Sequence, residues 1–340
     1  MTVRQRDVVD LTGARHAGRH RSARPRRLRI LAGRQRIKLA AAIGTIGATA
    51  IIIAVVVGAP SARPPGPGGV GTTPGSYLGV YQSGSPSSYA GVTAFGATTG
   101  VKPNLALYYS GWGEPFQAAF ARQAAAHDAL PLVQIDPVRI SLVAIAAGQY
   151  DTYLDRYAAD VRSYGRPVIL SFGHEMNAWW YSWGDRHASP AAFVAAWRHI
   201  VTLFRQQGAS NVTWLWTVNV IDAHGHIPNP TPWWPGGGYV SWVGIDGYYH
   251  KSSLTFAPLF GPTIKAVRAL TRLPIPILVA ETGATPTAGQ PAKIADLFAG
   301  VRSYGLLGLV WFNAKNWRIT SPASAAAFHR AAARYRQLTS

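Results

Sequence analysis

Residues 151–177 read DTYLDRYAADVRSYGRPVILSFGHEMN. Asp151–Tyr164 follows a helical pattern, and Gly165 stands where a left-handed helix cap is wanted. Val168–Phe172 is a short apolar run that stops at Gly173-His174-Glu175. This is one helix–strand unit, and the pattern recurs on both sides of it. Strands are expected at Tyr77–Tyr81, Leu105–Tyr109, Leu132–Asp136, Val168–Phe172, Val212–Trp216, Trp242–Asp246, Ile277–Glu281 and Leu307–Phe312. Helices are expected at Phe116–His127, Asp151–Tyr164, Pro190–Gln207, Thr263–Thr271, Pro291–Tyr304 and Ala323–Gln337. Pro190 and Pro291 fit a first helical turn, and Gly208 and Gly305 repeat the cap seen at Gly165. Strands separated by helices imply a parallel sheet, and eight is the number that closes. The expected fold is α/β, a single (β/α)8 TIM barrel over residues 76–340.

The segment before the barrel has a different composition. Residues 1–38 hold 12 Lys and Arg against 2 acids, leaving 21 basic and 12 acidic residues in the other 302. The net charge of +19 is therefore concentrated in a tail, which argues for a topology signal and against a nucleic-acid partner. Leu39–Ala59 carries no charge and is long enough, at about 1.5 Å per residue, to span a bilayer core. Arg34, Arg36 and Lys38 directly before it place the N-terminus in the cytoplasm. We expect a basic cytoplasmic tail (1–38), a transmembrane signal-anchor helix (39–59), a Pro/Gly-rich linker (60–75) and a barrel outside the cytoplasm. A signal peptide cleaved after Ala59 is the alternative. The chain is 48% apolar and 14% charged, which supports a sizeable core. It has no cysteine, which excludes a disulfide scaffold, a thiol nucleophile and a thiolate metal site.

Barrels of this kind carry their chemistry at the C-terminal strand ends. The third strand ends in Gln134-Ile135-Asp136, the fourth in His174-Glu175-Met176-Asn177 and the sixth in Asp246-Gly247-Tyr248. The seventh ends in Ala280-Glu281-Thr282 and the eighth in Trp311-Phe312-Asn313. Burying a carboxylate at the end of an apolar strand costs several kcal/mol unless it is hydrogen-bonded or functional, so Glu175 and Glu281 stand out. Two such carboxyls suit glycosidic cleavage, one protonating the leaving oxygen and the other attacking the anomeric carbon. The zinc-protease pattern H-E-x-x-H fails at Ala178, and Asp222, His224 and His226 fit a solvated loop better than a metal site. No metal or cofactor is expected.

Several rare-residue runs occur in order: Gly173-His174-Glu175-Met176-Asn177, Trp180-Tyr181-Ser182-Trp183-Gly184, Trp214-Leu215-Trp216, Trp242-Val243-Gly244-Ile245-Asp246-Gly247-Tyr248 and Trp311-Phe312-Asn313. Over residues 76–340 the chain resembles glycoside hydrolase family 26, a family of β-mannanases with some members acting on mixed-linkage glucans or xylan. The resemblance implies a retaining endo-glycosidase, with Glu175 as acid/base and Glu281 as nucleophile. It further implies that His174 contacts the sugar, Tyr248 aims the nucleophile, Trp180 stacks on the leaving-group side and Trp311 floors the pocket. Asn177, Trp112 and Asp136 join this expected substrate-binding set. Trp112, Trp180, Trp233 and Trp234 would line an open cleft, whereas Trp197 and Trp214 are expected in the core. The sequence departs from the family pattern at Ser171, where Arg is frequent, and at Ala178, where Gly is.

The partners expected are a polysaccharide and, through residues 39–59, a membrane; the catalytic domain is expected to be monomeric. The leading substrate is β-1,4-mannan, with mixed-linkage β-glucan, xylan or the cell's own exopolysaccharide as alternatives. A non-hydrolytic polysaccharide-binding barrel is the rival from another class.

Overall fold

The structure, a computed structural model, describes residues 70–222 and 225–336. The basic tail, the expected membrane segment and most of the linker lie outside the described residues, as does His224. Among the described residues, no helix is long and apolar enough to cross a membrane.

Eight strands close into a parallel barrel in sequential order. They are β1 (Tyr77–Gln82), β2 (Leu105–Gly111), β3 (Leu130–Asp136), β4 (Val168–Phe172), β5 (Val212–Asn219), β6 (Trp242–Tyr249), β7 (Ile277–Ala284) and β8 (Gly308–Asn313). The α-helices are α1 (Ala90–Thr99), α2 (Ala118–Ala126), α3 (Leu142–Ala146), α4 (Asp151–Tyr164), α5 (Pro190–Gln206), α6 (Phe256–Arg268), α7 (Gln290–Ser303) and α8 (Pro322–Arg336). The barrel expected from the alternating pattern is thus found. Helices α1 and α3 were not expected. The sequence of α1, AGVTAFGATT, mixes glycine and β-branched residues, which weakens the helical signal, although Val92, Phe95 and Thr99 still share a buried face. α3 is only 5 residues long and is capped by Ser141, whose side chain accepts from Ala144 N. α6 begins seven residues before the expected Thr263 and runs through Pro262. Its Phe256, Leu259, Phe260, Ile264 and Val267 are buried, and that packing outweighs the missing backbone donor.

Alternation along the strands separates two cores. Leu105, Leu107, Leu132, Ile169, Leu215, Leu278 and Val310 point into the barrel with Tyr77 and Trp242. The opposite strand faces pack against the helices, and there Trp197 and Trp214 are buried as expected. Toward the C-terminal ends, the inward positions become polar: Gln134, Ser171, Thr217, Asn219 and Asp246. The barrel is therefore an apolar plug beneath a polar layer.

Candidate active site

Glu281 faces the interior because β7 is irregular. Ala280 already points inward, so plain alternation would turn Glu281 toward the helices. The register between β6 and β7 instead jumps from Ile245↔Val279 to Asp246↔Glu281, skipping Ala280, and the β8 side shifts at the same place. This bulge gives two consecutive residues the same face, a known device for re-aiming a side chain. Glu175 is placed differently. After β4, Gly173 and Glu175 take left-handed φ values of 54° and 53°. A non-glycine residue there is strained, and the strain turns the Glu175 side chain over the barrel mouth.

Both glutamates are held by donors. Glu281 Oε1 accepts from the Tyr109 hydroxyl and from Gln134 Nε2 at 2.8 Å, and its Oε2 accepts from the Tyr248 hydroxyl at 2.7 Å. Glu175 Oε1 accepts from Asn219 Nδ2 at 2.5 Å, and its Oε2 from Trp180 Nε1 at 2.8 Å. His174 Nδ1 lies 3.0 Å from Asp136 Oδ1, and its Nε2 lies 2.9 Å from the Tyr181 hydroxyl.

The electrostatics follow from crowding. Asp136, Glu175, Asp246 and Glu281 are all buried, and among the described residues none pairs with Lys or Arg. Burial lifts Glu281 to about 7, with the Glu175 charge adding to it and His174, Tyr109 and Tyr248 opposing it. Burial also raises Glu175, against His174, Asn219 and Trp180. Asp246 is paired in register with Glu281, and neither of its oxygens completes a hydrogen bond; the main-chain amide of Glu281 offers partial relief. Burial and the two glutamates push Asp246 well above the carboxylate range, which keeps it neutral. Burial alone would lower His174, but Asp136 and the glutamates outweigh it and raise it to about 9. Tyr109 and Tyr248 are pushed well up, first by burial and then by the Glu281 charge, so both remain donors. Three donors on Glu281 and two on Glu175 stabilise the carboxylate forms and so oppose the effect of burial.

The structure brings together Glu175, Glu281, His174, Asp136, Trp180 and Tyr248. Three expectations are corrected. Trp311 does not floor the pocket: it is fully buried on the helix-facing side of β8, against Phe328, and donates to Trp317 O at 3.0 Å. Alternation gives the inward position to Phe312. Asn177 does not face a ligand: Nδ2 donates to Asn219 O and Pro228 O, and Oδ1 accepts from Asn219 N. It clamps the residue that holds Glu175. Trp233 is buried rather than lining a cleft, while Trp234 is half-buried against Trp216. Trp112 is half-buried at the end of β2, packed on Tyr150 and Tyr153. Ser171 is buried and pairs with Thr217 at 3.1 Å.

Four residues had no expected role: Tyr109, Gln134, Asn219 and Tyr181. Period-two reading from Leu105 and Leu107, or from Leu132, leads to Tyr109 and Gln134. Asn219 falls beyond the expected end of its strand at Trp216.

The sequence model of Glycosyl hydrolase family 26 matches residues 144–276, a span that includes Glu175. Endoglucanase H of Acetivibrio thermocellus is 29% identical over 301 residues, covering 83% of this chain; the chain spans only 32% of that relative's length. Mannan endo-1,4-beta-mannosidase A and B of Caldalkalibacillus mannanilyticus is 27% identical over 97 residues, 26% of this chain and 18% of that protein. The modular endo-beta-1,4-mannanase from Cellulomonas fimi superposes with a TM-score of 0.60 at 16% identity, over 76% of this chain and 71% of that one, a likeness of fold. The family match and the curated relatives make this chain similar to glycosyl hydrolase family 26, and the closed barrel is the fold of the solved structures it superposes on.

Proposed function

We propose that the barrel is a retaining, endo-acting glycosidase for β-linked polysaccharide. The observation that carries this is a pair of buried glutamates at the C-terminal end of the barrel, each held by side-chain donors. Glu281, aimed by Tyr109, Gln134 and Tyr248, attacks the anomeric carbon. Glu175 protonates the departing oxygen. Forming the glycosyl ester removes the Glu281 charge, which lets Glu175 ionise and activate water. β-1,4-Mannan is the leading substrate. The second reading is a β-glucan, favoured by the relative named as an endoglucanase, which aligns over 83% of this chain, and by the absence of the Arg that Ser171 replaces. Residues 39–59 would hold the enzyme at the membrane, with the barrel outside the cytoplasm.

The test is hydrolysis of a panel of mannan, mixed-linkage glucan and xylan, with NMR of the nascent reducing end. We expect cleavage of one of these to release the β-anomer first, and Glu281→Gln to lower turnover by several orders of magnitude. An initial α-anomer would overturn the double displacement. Activity on glucan alone would retain the pair and discard mannan, and no release from any glycan would favour the non-hydrolytic binding barrel.

A further inference from the structure

His174 sits between Asp136 and the Tyr181 hydroxyl. Tyr181 stacks nearly flat on Trp183, at 4.3 Å and 7°, and the Trp183 indole donates to His174 O at 2.8 Å. On that evidence alone, Tyr181 is a packing residue of the loop after β4. Its hydroxyl has a more specific role. His174 is faced by Asp136 from β3, by Glu281 from β7 and by neighbouring Glu175, while the Tyr109 ring of β2 packs 5.5 Å away. It is the one cation available to these carboxyls among the described residues, and its pKa rises accordingly. A doubly protonated imidazole has two donors and no acceptor. Nδ1–H is taken by Asp136, so Nε2–H donates to the Tyr181 oxygen. A phenol oxygen that accepts in this way must point its own hydrogen elsewhere. Among the described residues, the hydroxyl of Tyr181 makes no other hydrogen bond. Burial, first, and then the charges of Glu175, Asp136 and Glu281 keep that proton in place, and the two glutamate effects reflect how near the catalytic pair it lies.

We infer that Tyr181 is a substrate-positioning residue whose hydroxyl accepts from His174 and turns its own proton to a hydroxyl oxygen of the bound sugar. The inference rests on the glycosidase reading. It assigns a purpose to the Asp136–His174–Tyr181 chain: Asp136 keeps the imidazole charged, and the charge fixes the phenol as a donor.

Tyr181→Phe removes the oxygen and keeps the ring stacked on Trp183. Two measurements on the purified full-length chain test the proposal. The first is the titration of His174 by ring 15N NMR from pH 6 to 10.5, its signal identified by loss in His174→Gln. Removing an acceptor from Nε2–H disfavours the charged form, so His174 should titrate lower in Tyr181→Phe, by about one pH unit. If Tyr181 instead donates to a neutral ring, the titration moves up. The second is kcat/KM on whichever glycan the wild type cleaves, which should fall about tenfold for the loss of one directed hydrogen bond. A His174 titration that is unmoved or raised, or a kcat/KM within twofold of wild type, would overturn the inference. A wild-type chain that cleaves no glycan would overturn the glycosidase reading and the sugar contact with it, while the titration still decides which way the hydrogen bond runs.

Discussion

Glu281 meets opposing demands. Burial raises its pKa to about 7, yet a nucleophile must be ionised to attack. The Tyr248 hydroxyl, 2.7 Å from Oε2, is one of the groups that holds the value down. A hydrogen bond to a charged group is worth about 1.5–3 kcal/mol, which converts to roughly one to two pH units. Tyr248→Phe should therefore raise the Glu281 pKa further above 7. Since activity requires the anion, the acidic limb of kcat/KM should move upward by about one unit, with kcat at its plateau reduced less than in Glu281→Gln. The same environment has a cost in stability. A carboxyl whose folded pKa is raised is most compatible with the fold while protonated, so its contribution falls as pH rises from about 4.5 toward 7. A pH–rate profile of Tyr248→Phe that coincides with wild type would show that Tyr248 does not set the charge of Glu281.

At the scale of elements, strand interiors were legible and several strand ends were not. Val168–Phe172 was readable to the residue, because an apolar run between Gly165 and Gly173 has sharp edges. β5 and β6 each run three residues past their expected ends, because inward polar residues such as Asn219 do not look like strand. The bulge at Ala280 was invisible, since nothing in Ala280-Glu281 marks a skipped register. Trp311 was misplaced, and Phe312 overlooked, because a resemblance identifies a motif while only alternation along β8 says which member faces inward. The loop after β4 carries Trp180, Tyr181 and Trp183, and its closure depends on one small residue. A Cβ on Gly184 would lie 2.1 Å from the Ala178 carbonyl oxygen, and its amide donates to Tyr181 O at 3.0 Å. Backbone cannot yield as a flexible side chain can. Gly184→Ala should destabilise the protein by about 1–3 kcal/mol and displace Trp180 from Glu175. We expect a loss in kcat/KM of more than tenfold with an unchanged far-UV CD spectrum. Equal activity and equal Tm would show that the loop tolerates the methyl group.

At the scale of the whole molecule, the charge distribution separates two tasks. The tail of residues 1–38 carries 12 basic and 2 acidic residues, and the uncharged segment 39–59 follows at once. The barrel contributes every group of the proposed chemistry from residues 109–281. The proposed chemistry uses no residue of the N-terminal segment, whose composition suits a role in placement. In the proposed topology, positive charge retained on the cytoplasmic side during insertion would keep the tail inside while the chain beyond Ala59 crosses. Residues 60–75, rich in Pro and Gly, would then hold the barrel off the surface with freedom to reach an extended glycan. The full-length chain should accordingly sediment with membranes, resist extraction by high salt and alkaline carbonate, and yield to detergent. Protease added to intact cells should remove the linker and release the barrel, leaving the basic tail protected. Two results would overturn this topology. Soluble protein beginning near Pro60 would identify residues 1–59 as a cleaved signal, and a barrel that external protease cannot reach would place it on the cytoplasmic side.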